Sequence, residues 1–140
     1  MTVIVTDTGF APDDWQGDIV ALDDLDATPA ADAVDLPPDT DLSRLDGHLE
    51  RLRLIRVGFP SFADGRGFTL AAELRRRGFA GRLRAAGHVI ADQYAMARRA
   101  GFDEVEIDEA LARRQPEDQW LFRANWRSHD YQSRLRGSAA

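Results

Sequence analysis

The chain has 140 residues, of which 44% are hydrophobic and 30% charged, a composition typical of one soluble globular domain. It contains no cysteine and no lysine, which excludes disulfides, a cysteine nucleophile, cysteine-ligated iron–sulfur clusters and a lysine Schiff base. No apolar run reaches the roughly 20 residues of a membrane span, and the N-terminus lacks the basic and apolar regions of a signal peptide. We therefore expect a cytoplasmic protein without membrane contact.

The net charge of −6 is divided unevenly along the chain. Residues 1–50 carry 13 acidic residues and one arginine, a net charge of −12. Residues 51–140 carry 11 acidic residues and 17 arginines, a net charge of +6. The acidic half would repel phosphates, so we expect no nucleic-acid partner. The composition predicts a single domain over residues 1–140. In it, an acidic N-terminal extension (1–50) packs on a core (51–136), and residues 137–140 form a frayed tail.

The N-terminal half predicts short strands separated by turns. Residues 2–6 are rich in β-branched side chains and predict a strand. Residues 7–17 predict a turn-rich connection, residues 19–22 and 33–36 predict short strands, and Pro37–Pro38 excludes a regular element there. Leucines at positions 42, 45 and 49 give weak helical spacing.

The second half alternates between strand and helix patterns. Strands are predicted over residues 52–59, 82–86 and 103–107, and helices over residues 68–77, 89–100 and 109–114, with a last helix starting at Pro116. This βαβαβα order predicts an α/β fold with a small, mostly parallel sheet and flanking helices, half-barrel or flavodoxin-like, preceded by a short β-rich extension.

Two of these strands alternate between apolar and charged residues, whereas buried parallel strands are usually apolar throughout. One sheet face is therefore charged, and Arg84 can pair across it with Glu106 or Glu104. Three arrangements are open for this face: exposure to solvent, cover by the acidic N-terminal half, or an interface with a partner or with a second copy in a homodimer.

The loop after the first of the three strands carries the first candidate ligand site. In parallel α/β folds, ligands bind at the carboxyl ends of the strands. Flexible glycines at a helix start can present backbone N–H groups to an anion, and Ser61 and Arg66 add donors. The candidate ligand-binding residues here are Ser61, Asp64, Gly65, Arg66 and Gly67. The alternative is that Asp64 caps the helix and the glycines permit a tight turn.

The loop after the second strand carries candidate catalytic residues. His88 and Asp92 form a possible acid–base pair, because a carboxylate orients an imidazole and stabilises its charged form, and Gln93 adds a ligand-binding group. The alternative is a histidine at a helix start with an acidic residue in the first turn. The three histidines, His48, His88 and His129, lack metalloprotease spacing, so we expect no metal.

The C-terminal segment interleaves aromatic residues with arginines, the side chains enriched in protein interfaces. Trp120 and Phe122 cannot share one helix face, so both sides of this helix are expected to be buried. The segment docks either on the domain itself or on a partner. The candidate partner-binding residues are Trp120, Arg123, Trp126, Arg127 and Tyr131.

Three segments resemble a bacterial family known as domain of unknown function 934. They are residues 59–68 (FPSFADGRGF), 83–93 (LRAAGHVIADQ) and 99–106 (RAGFDEVE), and their order and spacing are kept. Asp13–Asp14–Trp15 and Tyr131–Gln132 also fit the family pattern. His88 departs from it, because members more often carry an aspartate or a small residue at that position.

The resemblance implies an accessory role in assimilatory sulfite reduction, with the sulfite reductase haemoprotein as partner, and an oxidoreductase label without assigned catalytic residues. The alternative hypothesis is a small enzyme or carrier that binds sulfate, sulfite or phosphate at the strand ends. Redox chemistry would then need a flavin or a nicotinamide, and the sequence has no fingerprint for either, so we expect no cofactor.

Overall fold

A computed structural model describes residues 2–127 of the chain. In this part, seven strands and four α-helices alternate with three short 3-10 helices at Leu22–Asp24, Leu42–Leu45 and Ala91–Gln93. The strands are β1 (Thr2–Thr6), β2 (Gly9–Ala11), β3 (Val20–Ala21), β4 (Ala33–Leu36), β5 (Leu54–Phe59), β6 (Arg82–Gly87) and β7 (Glu104–Asp108). The α-helices are α1 (Arg66–Arg76), α2 (Tyr94–Ala100), α3 (Glu109–Arg114) and α4 (Glu117–Arg123).

The strands form one sheet in the order β2-β1-β7-β6-β5-β4-β3. Strands β3 to β7 are parallel and lie in chain order, as consecutive strands of a half-barrel do. Strand β1 is antiparallel to β7 and β2 is antiparallel to β1. The predicted α/β class and mostly parallel sheet are therefore confirmed, and four strands from the acidic first 50 residues belong to this sheet.

The structure differs from the prediction at two places where distant contacts decide the local structure. The predicted turn region 7–17 contains β2, because Gly9 adopts a φ of 117° that makes a tight turn and Glu117 accepts a hydrogen bond from Phe10 N at 2.8 Å. The predicted helix 89–100 begins later. Val89 is buried and hydrogen-bonded to Gly87 O, and the helical turns start with a 3-10 segment at Ala91.

The apolar core lies on one face of the sheet. Alternate residues of β5 (Ile55, Val57 and Phe59) belong to a single buried cluster, which also contains the inward-facing side chains of all four α-helices: Leu70, Ala71, Leu74, Tyr94, Ala97, Leu111 and Trp120. The rings of Phe59, Phe68 and Phe102 lie 5.0 to 6.5 Å apart in tilted and edge-to-face contacts. Burial of each large apolar side chain stabilises the fold by about 1.5–3 kcal/mol.

Asp7, in the turn after β1, ties the N-terminal hairpin to the C-terminal part of the described chain. Its carboxylate accepts hydrogen bonds from the hydroxyl of Tyr94, the guanidinium of Arg98 and the indole Nε1 of Trp126. Burial alone would raise the pKa of Asp7, but these three donors outweigh it and lower the pKa below its usual value of 3.8.

The lowered pKa predicts how Asp7 contributes to stability as a function of pH. The ionised carboxylate stabilises the fold fully above pH 4, and this contribution is lost as the pH falls through the pKa of the folded state. We expect Asp7→Asn to lower the melting temperature by roughly 3 °C at pH 7, or about 1 kcal/mol after solvent screening is allowed for. Circular dichroism melts between pH 7 and pH 3 should show this difference shrinking below about pH 4. Asp18→Asn, an exposed control, should show no such trend.

Candidate functional site

The loops that follow β5 and β6 meet at one edge of the sheet, as the parallel arrangement predicts. The pairing of β5 with β6 continues to the last residue of each strand, Phe59 and Gly87. The next residue, His88, donates its backbone N–H to Phe59 O at 3.0 Å, and its ring Nδ1 lies 3.1 Å from the same oxygen. The candidate residues of the two loops are therefore neighbours in space.

In the first loop, Asp64 and Arg66 form a closed local pair. The Asp64 carboxylate accepts the backbone N–H of Arg66 at 3.1 Å, and the Arg66 Nη2 lies 2.6 Å from Asp64 Oδ2. Hydrogen bonds from the Arg66 side chain and backbone lower the pKa of Asp64. The pair neutralises the guanidinium that the oxyanion hypothesis would use, while Ser61 and Gly65 are exposed beside it. Oxyanion binding at this loop stays a prediction.

The second glycine of this loop has a packing role. Gly67 is buried in the first turn of α1, and a Cβ atom at this position would overlap the Phe59 ring. Gly65, two residues earlier, would place a Cβ 4.0 Å from the nearest atom, Phe68 Cδ2. Gly67 is thus required for the close approach of helix α1 to strand β5.

His88 and Asp92 contact different partners. Asp92 accepts a hydrogen bond from Arg123 Nη2 at 3.1 Å, whereas the His88 ring contacts the Phe59 carbonyl. Gln93 connects the two loops: its Oε1 accepts from Ile90 N, and its Nε2 donates to Phe62 O at 2.7 Å. The acid–base function of His88 and Asp92 remains a prediction, and their side chains are directed to separate neighbours.

His88 lines a small cavity that the sequence did not identify. The cavity has a volume of about 200 Å³ and lies at the carboxyl ends of β6 and β7, with Glu106, Asp108 and Arg114 among its other lining residues. The Asp108 carboxylate caps α3 by accepting from Leu111 N at 2.8 Å. Among residues 2–127, no group of three or more histidine, aspartate or glutamate side chains is arranged to hold a metal ion.

Helix α4 directs its two aromatic rings to opposite environments. Trp120 is 1% exposed, donates its indole N–H to Gln115 O and packs edge-to-face on Tyr94 with the ring centroids 6.1 Å apart. Phe122 is 75% exposed. The side of α4 that carries Phe122 therefore does not dock on the described part of the domain, and its burial against a partner stays a prediction. The structure places Trp120 in the core and leaves Phe122 at the surface.

Of the other candidate partner residues, Arg123 is the last residue of α4, and Trp126 and Arg127 follow it in the chain. The guanidinium of Arg123 lies 5.4 Å from the Phe122 ring, and those of Arg98 and Arg127 lie 4.8 and 4.9 Å from the Trp126 ring. Tyr131 and the predicted tail 137–140 lie outside the described residues.

The first loop and helix α4 contribute to one exposed surface, which we call the Phe62–Phe122 surface. It comprises Phe62, Asp92, Met96, Phe122 and Arg123. The side chains of Phe62, Met96 and Phe122 are 59%, 54% and 75% exposed. The Gln93–Phe62 hydrogen bond and the Arg123–Asp92 ion pair join its parts, and Met96 follows Asp92 at helical spacing i, i+4.

Sequence analysis missed Phe62 and Met96 as members of this surface. Phe62 stands in a loop otherwise rich in Ser, Asp and Gly, and Met96 lies off the apolar stripe of its helix. An apolar side chain in a polar loop, or off the buried stripe, is the signal that could have identified them.

The opposite face of the sheet carries the predicted charges. Arg84 is fully buried, and its Nε and Nη1 atoms lie 2.5 Å from Glu104 and 2.8 Å from Glu106, so both predicted pairings are present. Asp13 and Asp14 of the N-terminal half reach over this face, Asp13 to Arg84 and Asp14 to Arg82. Of the three arrangements considered, the structure shows cover by the acidic half over this part of the face.

The charged face continues from β6 and β7 onto β5 and β4. Arg56 Nε donates to Asp35 at 2.7 Å, and its Nη1 lies 3.4 Å from Glu106.

Burial alone would raise the pKa of Asp13, but hydrogen bonds from Arg84 and the Trp15 backbone outweigh the effect of burial and lower this pKa. The face is thus an internal network of ion pairs rather than a row of unpaired charges.

The family model described as "Bacterial protein of unknown function (DUF934)" matches residues 33–140. The chain belongs to DUF934. This confirms the resemblance found in the sequence, and the matched segment includes both strand-end loops and all four α-helices of this DUF934 protein. No curated protein matches the chain. Within the described residues, no helix is long and apolar enough to cross a membrane.

Alanine substitution of the two glycines in the first loop should have different effects on stability. Gly67→Ala should lower the free energy of unfolding by about 1–3 kcal/mol, because the new methyl group overlaps the Phe59 ring, even though alanine favours a helix by about 1 kcal/mol. Gly65→Ala, the matched control, should change it by less than about 0.5 kcal/mol. Urea denaturation measures both values. Equal effects of the two substitutions would contradict the packing role of Gly67.

Proposed function

We propose that this DUF934 protein is an accessory protein of assimilatory sulfite reduction that docks on the sulfite reductase haemoprotein through the Phe62–Phe122 surface. The identity of the partner rests on the family resemblance. The docking mode rests on one observation: Phe62, Met96 and Phe122 are largely exposed, and the Arg123–Asp92 ion pair and the Gln93–Phe62 hydrogen bond link the elements that carry them.

The composition of this surface favours protein binding. Exposed aromatic residues and methionine are enriched in interfaces, and isolated exposed apolar side chains are ordinary whereas a contiguous group marks an interaction site. At its border, Arg99 donates to Trp126 O at 3.0 Å. An apolar centre with a polar rim is the arrangement that gives interfaces both affinity and orientation.

The strand-end loops support binding better than chemistry. The Arg66 guanidinium is paired with Asp64, Asp92 is paired with Arg123, and the Gln93 amide joins two loops. These residues hold the loop that presents Phe62 in place. The same segments that the oxyanion hypothesis would use as a ligand site therefore act as the frame of the docking surface.

Removal of the exposed apolar side chains should weaken association with the haemoprotein. Since hot-spot residues contribute 2 kcal/mol or more, the double variant Met96→Ser/Phe122→Ser should raise the Kd by at least about 10-fold. Its fold should be kept, because both side chains lie outside the core. Binding is measured by titration calorimetry of the purified haemoprotein with the full chain.

Paired arginine variants control for charge. Arg123→Ala removes a guanidinium from the surface and should weaken binding, whereas Arg113→Ala removes one from α3 and should not. Wild-type affinity of the double variant would contradict this docking surface. Failure of the wild-type chain to bind the haemoprotein, together with unchanged sulfite turnover in its absence, would overturn the accessory role itself.

A further inference from the structure

Residues 12–17 form a strap across the charged face of the sheet. They connect the end of β2 at Ala11 to the segment before β3, and within the described part of the chain they make no backbone–backbone hydrogen bond. Side chains alone hold the strap down. Asp13, Asp14 and Trp15 are the three that contact the face.

Asp13 contacts Arg84 as a bound anion would. Arg84 Nη1 lies 3.2 Å from Asp13 Oδ2, and Arg84 Nη2 lies 3.1 Å from Asp13 Oδ1. This two-point contact is the geometry with which guanidinium groups recognise carboxylates and tetrahedral oxyanions. Asp14 makes a single contact with the outer guanidinium, through Nη2 of Arg82. The strap thus supplies two negative charges to two neighbouring arginines.

The charges beneath the strap determine what could replace it. Without the strap, the face holds equal numbers of guanidinium and carboxylate groups, namely Arg56, Arg82 and Arg84 against Asp35, Glu104 and Glu106. The strap adds the carboxylates of Asp13 and Asp14, which together carry a charge of −2. A single ligand that replaced both carboxylates on the same guanidinium groups with the same charge would be a dianion.

Two features make the strap displaceable. The side chain of Asp14 is 71% exposed, and an ion pair at such exposure contributes little to stability, while the Arg84 guanidinium that Asp13 contacts keeps Glu104 and Glu106 as partners when Asp13 leaves. Among residues 2–127, the buried indole Nε1 of Trp15 has no hydrogen-bond partner, although its ring lies 5.7 Å from the Arg53 guanidinium. A buried donor without an acceptor destabilises the closed position, and opening the strap would expose it to water.

A groove next to the strap gives a ligand access to Arg82. It has a volume of about 550 Å³, is open to solvent, and is lined by four arginines with one acidic residue: Arg75, Arg82, Arg98, Arg127 and Asp103. Asp14 reaches Arg82, which also lines this groove. An entering anion can therefore reach the outer guanidinium before the strap has left the inner one.

We propose that Arg82 and Arg84 form a binding site for a small oxyanion dianion of the sulfate or phosphate class. Residues 12–17 are the lid of this site, and the Asp13 and Asp14 carboxylates occupy it in the closed state. The site lies on the charged face of the sheet, separate from the Phe62–Phe122 surface, and does not depend on docking to the haemoprotein.

Neutralising the strap carboxylates tests the site. Sulfate and hydrogen phosphate are titrated calorimetrically, at constant ionic strength, into the wild-type chain and into Asp13→Asn/Asp14→Asn. We expect the variant to bind at least 10-fold more tightly. The control Asp18→Asn/Asp24→Asn changes the net charge equally at exposed positions away from the arginines and should behave as the wild type. Adding Arg82→Gln to the strap variant should abolish the gain. The proposal would be overturned if the control bound the anions as tightly as the strap variant. It would also be overturned if a folded strap variant showed no gain in affinity over the wild type.

A second measurement uses the unaltered chain and does not depend on the folding of any variant. Chymotrypsin cuts after aromatic residues, and Trp15 is the aromatic residue of the strap. Sulfate should accelerate cleavage after Trp15 several-fold over chloride at equal ionic strength, with the fragments identified by mass. Cleavage after the exposed Phe122 serves as the internal control and should not change. Unchanged or slower cleavage after Trp15 would contradict a lid that opens for a dianion.

Discussion

The buried guanidinium of Arg84 decides how the charges around it must be placed. A fully buried cation must have its charge balanced and its donors paired, since removing one partner of a buried pair costs about 3–5 kcal/mol. Glu104 and Glu106 of β7 satisfy it from one side and Asp13 from the other. A one-residue slip of β7 would turn both glutamates into the apolar core, so this network helps to fix the register between β6 and β7.

The same network explains why the fold has one apolar layer. Because one face of β5, β6 and β7 carries ion pairs, the apolar side chains of all four α-helices pack against the other face. Strands in chain order with helices on one side are also the arrangement of a barrel wall, whose inner face would here be the charged face. A complete barrel would close this face with further strands and fill its interior with side chains. Here the strap and its two carboxylates cover part of this face.

Local patterns in the sequence were sufficient where the physics is local. Period-two alternation revealed β6, β7 and their charged face. Gly78 and Gly101 follow the ends of α1 and α2, where φ values of 95° and 120° favour glycine, and such glycines are visible in the sequence. Strand β2 was missed because its pairing involves a contact to Glu117, more than 100 residues away. The exposure of Phe122 could not be predicted either, since spacing shows that two rings oppose each other and not which one meets a core.

The docking surface and the strap site are held by different residues but share a neighbour. Arg99, one helical turn from Met96, donates to the Trp126 carbonyl, and the Trp126 ring lies against Arg98 and Arg127 of the arginine groove. Trp126 is also tied to the Asp7 carboxylate. A partner that covers Met96 and Phe122 would therefore lie close to Arg99, whose hydrogen bond to the Trp126 carbonyl reaches a residue that lines the arginine groove. No residue of the strap belongs to the Phe62–Phe122 surface, so variants can separate the two, and the Arg99–Trp126 contact is a physical link between them.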